Sequence, residues 1–457
     1  MLNLREVWNE KLELVKTLSM RSSVFCAFNA NLSVRSTVNQ ENLQALINSL
    51  DSAELVKSFD SKASVLKTRE QVIGFLLGGI RDGFSRQALL DEEMMRFVSE
   101  NFEHTSEAMG GDAGIIANQL SALGCSVVVF TPFLSKKQAS FFDSKIKFPL
   151  FLKKKFSLVS AGKAVNSDFT VEKWALNYSR GTTVSVKGKI TAPLSNRVVF
   201  RLKRSVGLLS PELLSKGKKA FDARVQFLSG FHLISDLKEL KMLEKQLTAL
   251  PRSFRHWEYS SLNPKVAGEI LKLVSSKIDS IGLNERELVE VLRFLGLKDQ
   301  AKEIEAKENS FTIYNGCLAL FNKLKLKRVH CHNLGYHVCV TDKTPNPEKV
   351  RDSIAAAALL ACAMAEKKKV VSLRDLRSSS FLVSETGLNQ VWIFESGIDP
   401  LLPIKHSSKE RKAFLARGGV ELKNHFVVIV PTPIIQTTLV DGLGDVVSSV
   451  ALAFERS

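Results

Sequence analysis

The sequence predicts a doubly wound α/β protein, with helices on both faces of one core sheet, joined to a small α+β lid. Three observations point there. Short apolar runs of strand length alternate with helix-length amphipathic patterns along most of the chain. Glycine-rich turns stand where the chain passes into helices, at Gly110-Gly111-Asp112-Ala113-Gly114 and at Gly442-Leu443-Gly444-Asp445. Between about 151 and 203 the texture changes to closely spaced alternating runs rich in Lys and Arg, the pattern of a separate small sheet.

In chain order, residues 3–19 read as an amphipathic helix, and Ser22 to Phe28 as a buried strand that delivers Asn29, Asn31 and Ser33 at its C-terminal end, where open α/β sheets bind ligands. Val38 to about Arg96 reads as mostly helical, with an interruption at Gly78-Gly79-Ile80-Arg81-Asp82-Gly83. A helix over 115–123 and a strand over 126–130 begin the alternation. The small sheet takes runs at 156–159, 182–186 and 198–202. Core strands then follow at 225–228, 254–259, 277–281, 327–332, 336–341 and 426–430. These divisions assign 1–35, 105–150 and 204–457 to the large unit and 36–104 and 151–203 to the lid.

The 457 residues suffice for one large core and an accessory unit, and 45% hydrophobic residues describe a globular protein. The longest apolar helical run, 353–365, is too short and alanine-rich for a bilayer, and residues 1–6 lack a signal-peptide core, so a cytoplasmic protein without membrane partners is expected. Six cysteines without a CxxC pair argue against a disulfide framework. The 64 basic against 47 acidic residues give a net charge of +17, which attracts anions of any kind. The short Lys runs lack the interleaved aromatics of a nucleic-acid platform, so nucleic acid is not the expected partner.

Several short patterns carry chemistry. Gly442 and Gly444 allow close backbone approach at a helix N-terminus, and Asp445 sets a carboxylate beside unpaired N–H groups: a base next to an anion hole. The same residues also make an ordinary tight loop with a capping aspartate. His256 and Glu258 share one strand face; Glu258 suits Mg²⁺, and the pair equally suits a satisfied sheet edge. Asn284 and Glu287 have capping-box spacing, and a capping carboxylate can also face a metal. In His330-Cys331-His332 the alternation sets Cys331 opposite both histidines, so a zinc site is rejected.

Taken in order, Asn29-Ala30-Asn31-Leu32, Gly110-Gly111-Asp112-Ala113-Gly114, Ser229-Gly230-Phe231, His256-Trp257-Glu258, Asn284-Glu285-Arg286-Glu287, His330-Cys331-His332 with Gly335-Tyr336, and Gly442-Leu443-Gly444-Asp445 resemble the ADP-dependent glucokinase and phosphofructokinase family of the ribokinase-like fold. The resemblance runs from about residue 20 to the C-terminus. It implies a ribokinase-like domain with a lid that uses Mg·ADP to phosphorylate a sugar and releases AMP, as a monomer or homodimer in carbohydrate metabolism. Asp445 is similar to the family's catalytic base, and Gly442 and Gly444 to its anion hole. Glu258 and Glu287, with Asp445, resemble the metal-arranging groups. Arg197 matches a lid arginine that reaches the ADP phosphates; Asn284, Tyr336, Ile434 and Ile435 fall at nucleotide-binding positions. Asn29, Asn31, Ser33, Gln87, Gly111, Asp112 and Arg180 fall at or near acceptor positions.

The departures bear on the acceptor. Ser33 stands where the family has an aspartate, Gln87 where its glucokinases carry a glutamate, Asp112 in place of glutamine, His232 in place of glutamine, and Asp441 in place of valine near the adenine. Losing two carboxylates while Arg35, Arg81, Arg86, Arg180 and Lys187 lie nearby in sequence favours an acceptor that already carries a phosphate, a hexose or pentose phosphate such as fructose 6-phosphate or ribose 1-phosphate. The alternatives are an ADP-dependent glucokinase with Asp112 as the replacement acid, and a non-catalytic relative that binds a nucleotide or sugar phosphate.

Overall fold

The computed structural model describes residues 3–61, 63, 65–204, 207–402, 407–435 and 442–457; Asp441, noted above, lies outside them. A nine-stranded sheet forms the centre. From one edge its strands are Gly419–Glu421, Phe426–Pro431, Tyr336–Thr341, Arg328–Asn333, Ser280–Leu283, Phe254–Glu258, Val225–Leu228, Ser23–Ala27 and Ser126–Phe130. The last six are parallel to one another, and the first three join by antiparallel pairing. Among the parallel strands chain order runs outward in both directions from Ser23–Ala27, so the crossover helices fall on opposite faces. Asp112–Ala122, Pro347–Lys367 and Leu443–Glu455 pack together on one of them. This is the doubly wound α/β arrangement expected, and its switch point lies where Asn29 follows the first core strand.

The parallel strands are apolar on both faces because both are covered: Val225–Leu228 and Ser280–Leu283 are buried at every position. The same core includes Trp8 of the N-terminal helix Leu4–Val15, whose indole N–H donates to the Leu415 carbonyl at 3.1 Å.

A second, six-stranded sheet has its own core. Its order is Val65–Leu66, Arg86–Leu90, Asn196–Leu202, Glu172–Tyr178, Asn31–Thr37 and Ser106–Gly110. Leu32, Val34, Trp174, Leu176, Val198 and Phe200 alternate along its strands and bury one face, with Val72, Ile73, Leu76, Leu77 and Val98 from the helices Arg69–Asp82 and Glu92–Asn101. The opposite face is polar.

Several expectations need correction. Asn31–Thr37 and Ser106–Gly110, assigned above to the large unit, pair in the second sheet. The hairpin Phe148–Leu152 and Lys155–Val159, largely assigned to the lid, packs on the main core, where Phe156 meets Phe221 with ring centroids 6.4 Å apart. Gly78 and Gly79 do not interrupt a helix: Arg69–Asp82 runs through them and ends at Gly83, in the left-handed region with φ +69. Gly78 is there for space, since a Cβ would lie 2.2 Å from the Phe59 carbonyl oxygen. Among the described residues, no helix is long and apolar enough to cross a membrane.

Gly78→Ala should therefore destabilise the protein by about 1–3 kcal/mol in denaturant unfolding, the cost of pushing backbone apart in a packed core. Gly162→Ala, where a Cβ would meet nothing within 4 Å, should change stability little.

Candidate active site

The second sheet turns its polar face toward the C-terminal ends of the parallel strands. Between them lies a cavity of about 330 Å³ lined by Asn29, Asn31, Gly111, Asp112, Lys173, Arg197, Arg201, Glu258, Asn284, Glu287, His332, Gly442, Gly444 and Asp445, among others. Beside it, between the helices Pro347–Lys367 and Leu443–Glu455 and the strand ends, runs a larger groove of about 1140 Å³ whose lining includes Ala358, Ala361, Cys362, Pro433, Ile434 and Ile435. One chamber is charged, the other mostly apolar.

Each cavity group is set by local structure. Gly442 caps the helix Leu443–Glu455 in the left-handed region at φ +77, and Asp445 sits in its first turn. Gly444 is forced by packing, because a Cβ would come within 2.7 Å of the His332 ring. Gly111 precedes the helix Asp112–Ala122, which gives the cavity a second helix N-terminus. Glu258 ends its strand and is clamped at both oxygens: His332 Nε2 lies 2.8 Å from Oε1 and His256 Nε2 3.3 Å from Oε2. A carboxylate only accepts, so both imidazoles donate through Nε2, and the Ser280 hydroxyl, 2.9 Å from His256 Nδ1, completes the chain. Asn284 and Glu287 form the expected capping box: Glu287 Oε2 accepts from the Asn284 N–H at 2.9 Å, and Asn284 Oδ1 accepts from the Glu287 N–H at 3.0 Å.

Four carboxylates thus share one cavity, and their ionisation is strained. Burial drives Asp445 well above the usual carboxylate range, and repulsion from Asp112 and Glu258 adds to it. Asp112 is pushed up to about 6 by burial, with Arg201 and Lys173 pulling back. Glu287 is pushed up to about 8 by burial, against its bond from the Asn284 backbone. Glu258 alone goes the other way: burial would raise it, but the two histidine bonds hold it down to about 2. Among the described residues no three His, Cys, Asp or Glu side chains stand together as a metal-binding group, but a cation between these acids would relieve the repulsion among groups that burial keeps partly protonated.

Opposing the acids is a row of cations on the polar face of the second sheet. Strand register sets Ser33 beside Lys173 and Lys173 beside Arg201, and Arg197 lies two pleats along the same strand face as Arg201. Lys173 and Arg201 were not among the residues singled out above. The alternation Arg197-x-x-x-Arg201 was the available signal: on a strand this spacing keeps both side chains on one face.

Other expected residues lie elsewhere. Tyr336, expected beside an adenine, is buried within its strand, where its hydroxyl accepts from Asn333 Nδ2 at 3.0 Å; Ile434 and Ile435 do line the groove. Gln87 stands beside Val199 one strand beyond Arg197, exposed and outside the cavity lining. Arg180 follows the far end of Glu172–Tyr178, roughly 20 Å of strand from Lys173, and is exposed. Of the other basic residues considered for a phosphate, Arg81 pairs with Asp60 and Asp82, each at 2.7 Å. Arg86 bonds Asp82 and the Phe59 carbonyl, and Lys187 is exposed. Arg35 keeps to the polar sheet face without lining the cavity. Asn31 and Asp112 reach the cavity buried, and neither Asn31 Oδ1 nor Asp112 Oδ2 has a hydrogen-bonding partner among the described residues.

A family model described as "ADP-specific Phosphofructokinase/Glucokinase conserved region" matches residues 22–454. The ADP-dependent glucose/glucosamine kinase of Pyrococcus furiosus is 25% identical over 468 residues, covering 97% of this chain and 96% of that protein. The ADP-specific phosphofructokinase of Methanosarcina acetivorans is 24% identical over 466 residues, covering 95% and 93%. Among solved structures, an ADP-dependent kinase in complex with fructose-6-phosphate and ADPbetaS shares the fold at a TM-score of 0.83 and 24% identity, over 100% of this chain and 98% of that one. A last common ancestor of ADP-dependent phosphofructokinases from Methanosarcinales does so at a TM-score of 0.80 and 25% identity, over 99% and 97%. With the match spanning almost the whole chain, and the glycine turn, the clamped carboxylate and the capping box gathered at one sheet edge, the protein belongs to the ADP-specific phosphofructokinase/glucokinase family.

Proposed function

We propose that the protein transfers the β-phosphoryl group of Mg·ADP to a hydroxyl of a sugar phosphate and releases AMP. The observation that carries the sugar-phosphate reading is the row of Lys173, Arg197 and Arg201 facing Asp445 and Asp112 across the cavity. A neutral sugar needs hydroxyl partners; Lys173 and Arg201, beside the Arg197 that serves the donor, suit an acceptor with charge of its own. The relative solved with fructose-6-phosphate and an ADP analogue and the relatives named phosphofructokinase are consistent with this choice. The second reading, phosphorylation of a free sugar, draws on Asp112, a buried carboxylate with an unpartnered oxygen suited to accept from a sugar hydroxyl.

In this reading the apolar groove with Ile434 and Ile435 takes the adenosine, and Arg197 neutralises the donor phosphates. Lys173 and Arg201 bind the acceptor phosphate and turn one hydroxyl toward Asp445. The hydroxyl oxygen attacks the β-phosphorus, and its bond to the α,β-bridging oxygen breaks. AMP leaves with that oxygen, and the hydroxyl proton passes to Asp445. The N–H groups opening the helix at Gly442 and Gly444 receive the negative charge that spreads over the transferring group. Glu258 and Glu287 would hold Mg²⁺, which supplies charge neutralisation to the diphosphate. The six-stranded sheet acts as the lid, and its closure excludes the water that competes with the sugar as acceptor.

With Mg·ADP and a panel of free and phosphorylated hexoses and pentoses, AMP release should be fastest with a phosphorylated sugar. Asp445→Asn should lower kcat by roughly 10²–10⁴-fold. Lys173→Ala and Arg201→Ala should raise KM for the phosphorylated acceptor by about 10–100-fold and spare KM for ADP. Turnover with glucose alone, indifferent to both substitutions, would support the free-sugar reading instead.

The strained ionisation of Glu287 gives a second test. Its folded pKa lies above the unfolded one, so the penalty is absent below about pH 4.5, grows as pH rises and is complete above about pH 8. Glu287→Gln keeps the capping geometry, so in metal-free buffer it should stabilise the protein by about 1–3 kcal/mol at pH 7.5, a figure discounted for the open cleft, and by almost nothing at pH 4.5. Thermal unfolding at the two pH values measures this, and equal effects at both would contradict it.

A further inference from the structure

A short segment of the large unit, residues 134–143, reaches the second sheet from the side away from the charged cavity. Its own footing is firm. Leu134, Ala139 and Phe142 are buried in the main core, and Ser135 caps the turn Lys136–Ala139 by accepting from the Gln138 N–H at 3.1 Å. Asn118, buried in the helix Asp112–Ala122, bonds the segment twice: its Nδ2 donates to the Phe141 carbonyl at 2.8 Å, and its Oδ1 accepts from the Asp143 N–H at 2.9 Å. The segment is therefore fixed to the same helix that presents Asp112 to the cavity.

From this footing two side chains engage the small unit. Phe141 packs against the second core. Lys137 Nζ lies 2.5 Å from Glu107 Oε1 and 3.7 Å from Glu172 Oε1. Strand register sets Glu107 opposite Val34 and Glu172 opposite Leu32, so both glutamates stand on the sheet face that Val34 and Leu32 bury. Glu172 is held there by the Trp174 indole, whose N–H donates to Oε2 at 2.9 Å. Lys173, the next residue, turns to the other face and lines the cavity. Glu107 lies on the strand that runs into Gly111 and Asp112. The hollow around these groups, about 590 Å³, is also lined by Glu100 and Glu103, and Lys137 is the one lysine or arginine among its described lining residues. Four carboxylates gathered around one ammonium repel one another once that charge is removed.

We propose that Lys137 is a positioning residue: through Glu107 and Glu172 it latches the small sheet to the large unit and so holds Lys173 in place opposite Asp112 and Asp445. The inference rests on the reading of Lys173 as a group that binds the acceptor's phosphate. The path is short. The segment of Lys137 is tied through Asn118 to the helix of Asp112, and Lys137 itself is paired with the residue next to Lys173, so acid and cation share one frame. With 46% of its side chain exposed, Lys137 stands where water can replace either glutamate, so the contact can be made and broken as the small sheet moves.

Lys137→Met keeps the stem and removes the charge. With the full chain, Mg·ADP and fructose 6-phosphate as the probe acceptor, it should raise KM for the acceptor by about 3–10-fold and keep KM for ADP within about twofold. Lys137→Glu should do more, and the charge-swapped pair Lys137→Glu with Glu107→Lys should bring the acceptor KM back to within about twofold of wild type. A lysine that served only the fold would lower the thermal midpoint without splitting the two KM values. Small-angle scattering of the ligand-free protein gives a readout that needs no turnover: Lys137→Glu should increase the radius of gyration, and the swapped pair should restore it. The proposal is overturned if Lys137→Met leaves the acceptor KM unchanged or raises both KM values together, if the swapped pair stays as impaired as Lys137→Glu, or if scattering is the same in all three proteins. Lys173→Ala without effect on the acceptor KM would remove the acceptor reading and this proposal with it; an effective Lys173→Ala beside a silent Lys137→Met would remove the latch alone.

Discussion

Everything at the sheet edge depends on the crowding of Asp112, Glu258, Glu287 and Asp445 into one cavity. Buried carboxylates repel one another and lose solvation, so such a cluster persists only where the surroundings compensate it. The compensation is unequal. Glu258 is held as an anion by His332 and His256, while burial pushes Asp112, Glu287 and Asp445 upward. A cation among these acids would relieve their repulsion, and in the proposed reaction the metal-bound diphosphate would play that part.

The compensating cations come from a different sheet. Lys173, Arg197 and Arg201 belong to strands whose alternate residues Trp174, Val198, Phe200 and Leu202 bury into a core separate from that of the large sheet. The period of two along a strand therefore does two jobs at once: one set of side chains holds the small sheet on its helices, and the other presents charge to the acids. The carboxylates ride on the nine-stranded sheet and its helix starts, and the cations that face them ride on the smaller sheet. In the proposed reaction, closing the two together would bring opposite charges into contact as water leaves, which strengthens each interaction.

Much of this was legible in the residues, and unevenly so. The core strands were visible because a strand covered on both faces is a continuous apolar run, as in Ser126–Phe130 and Val225–Leu228, matched to the residue. The capping box at Asn284 and Glu287 and the glycine turn before Asp445 were visible because their geometry demands particular residues at fixed spacings. The strands of the small sheet were harder. Asn31–Thr37 carries Asn, Ser and Arg on its polar face, so half its residues look like loop, and Gly78 reads as a breaker until the Phe59 carbonyl is found against it. Lys173 and Arg201 were missed, and Arg81 and Arg180 expected in their place, because nearness in sequence to the glycine motifs is no guide to which strand end meets the cavity. Tyr336 shows the same limit: its neighbour Gly335 lines the groove while its own ring turns inward. What one residue's spacing reveals is local, and the cavity is assembled from register across a second sheet.

The most direct measurement is the fate of the β-phosphorus itself. Incubation of the protein with Mg·ADP and fructose 6-phosphate as the probe acceptor, followed by ³¹P spectroscopy, resolves ADP, AMP, inorganic phosphate and phosphomonoesters of the sugar. The β signal of ADP should disappear in step with the growth of AMP and of one new phosphomonoester on the sugar. Appearance of the β-phosphorus as inorganic phosphate, or an ADP signal that persists unchanged with every phosphorylated sugar tried, would contradict it.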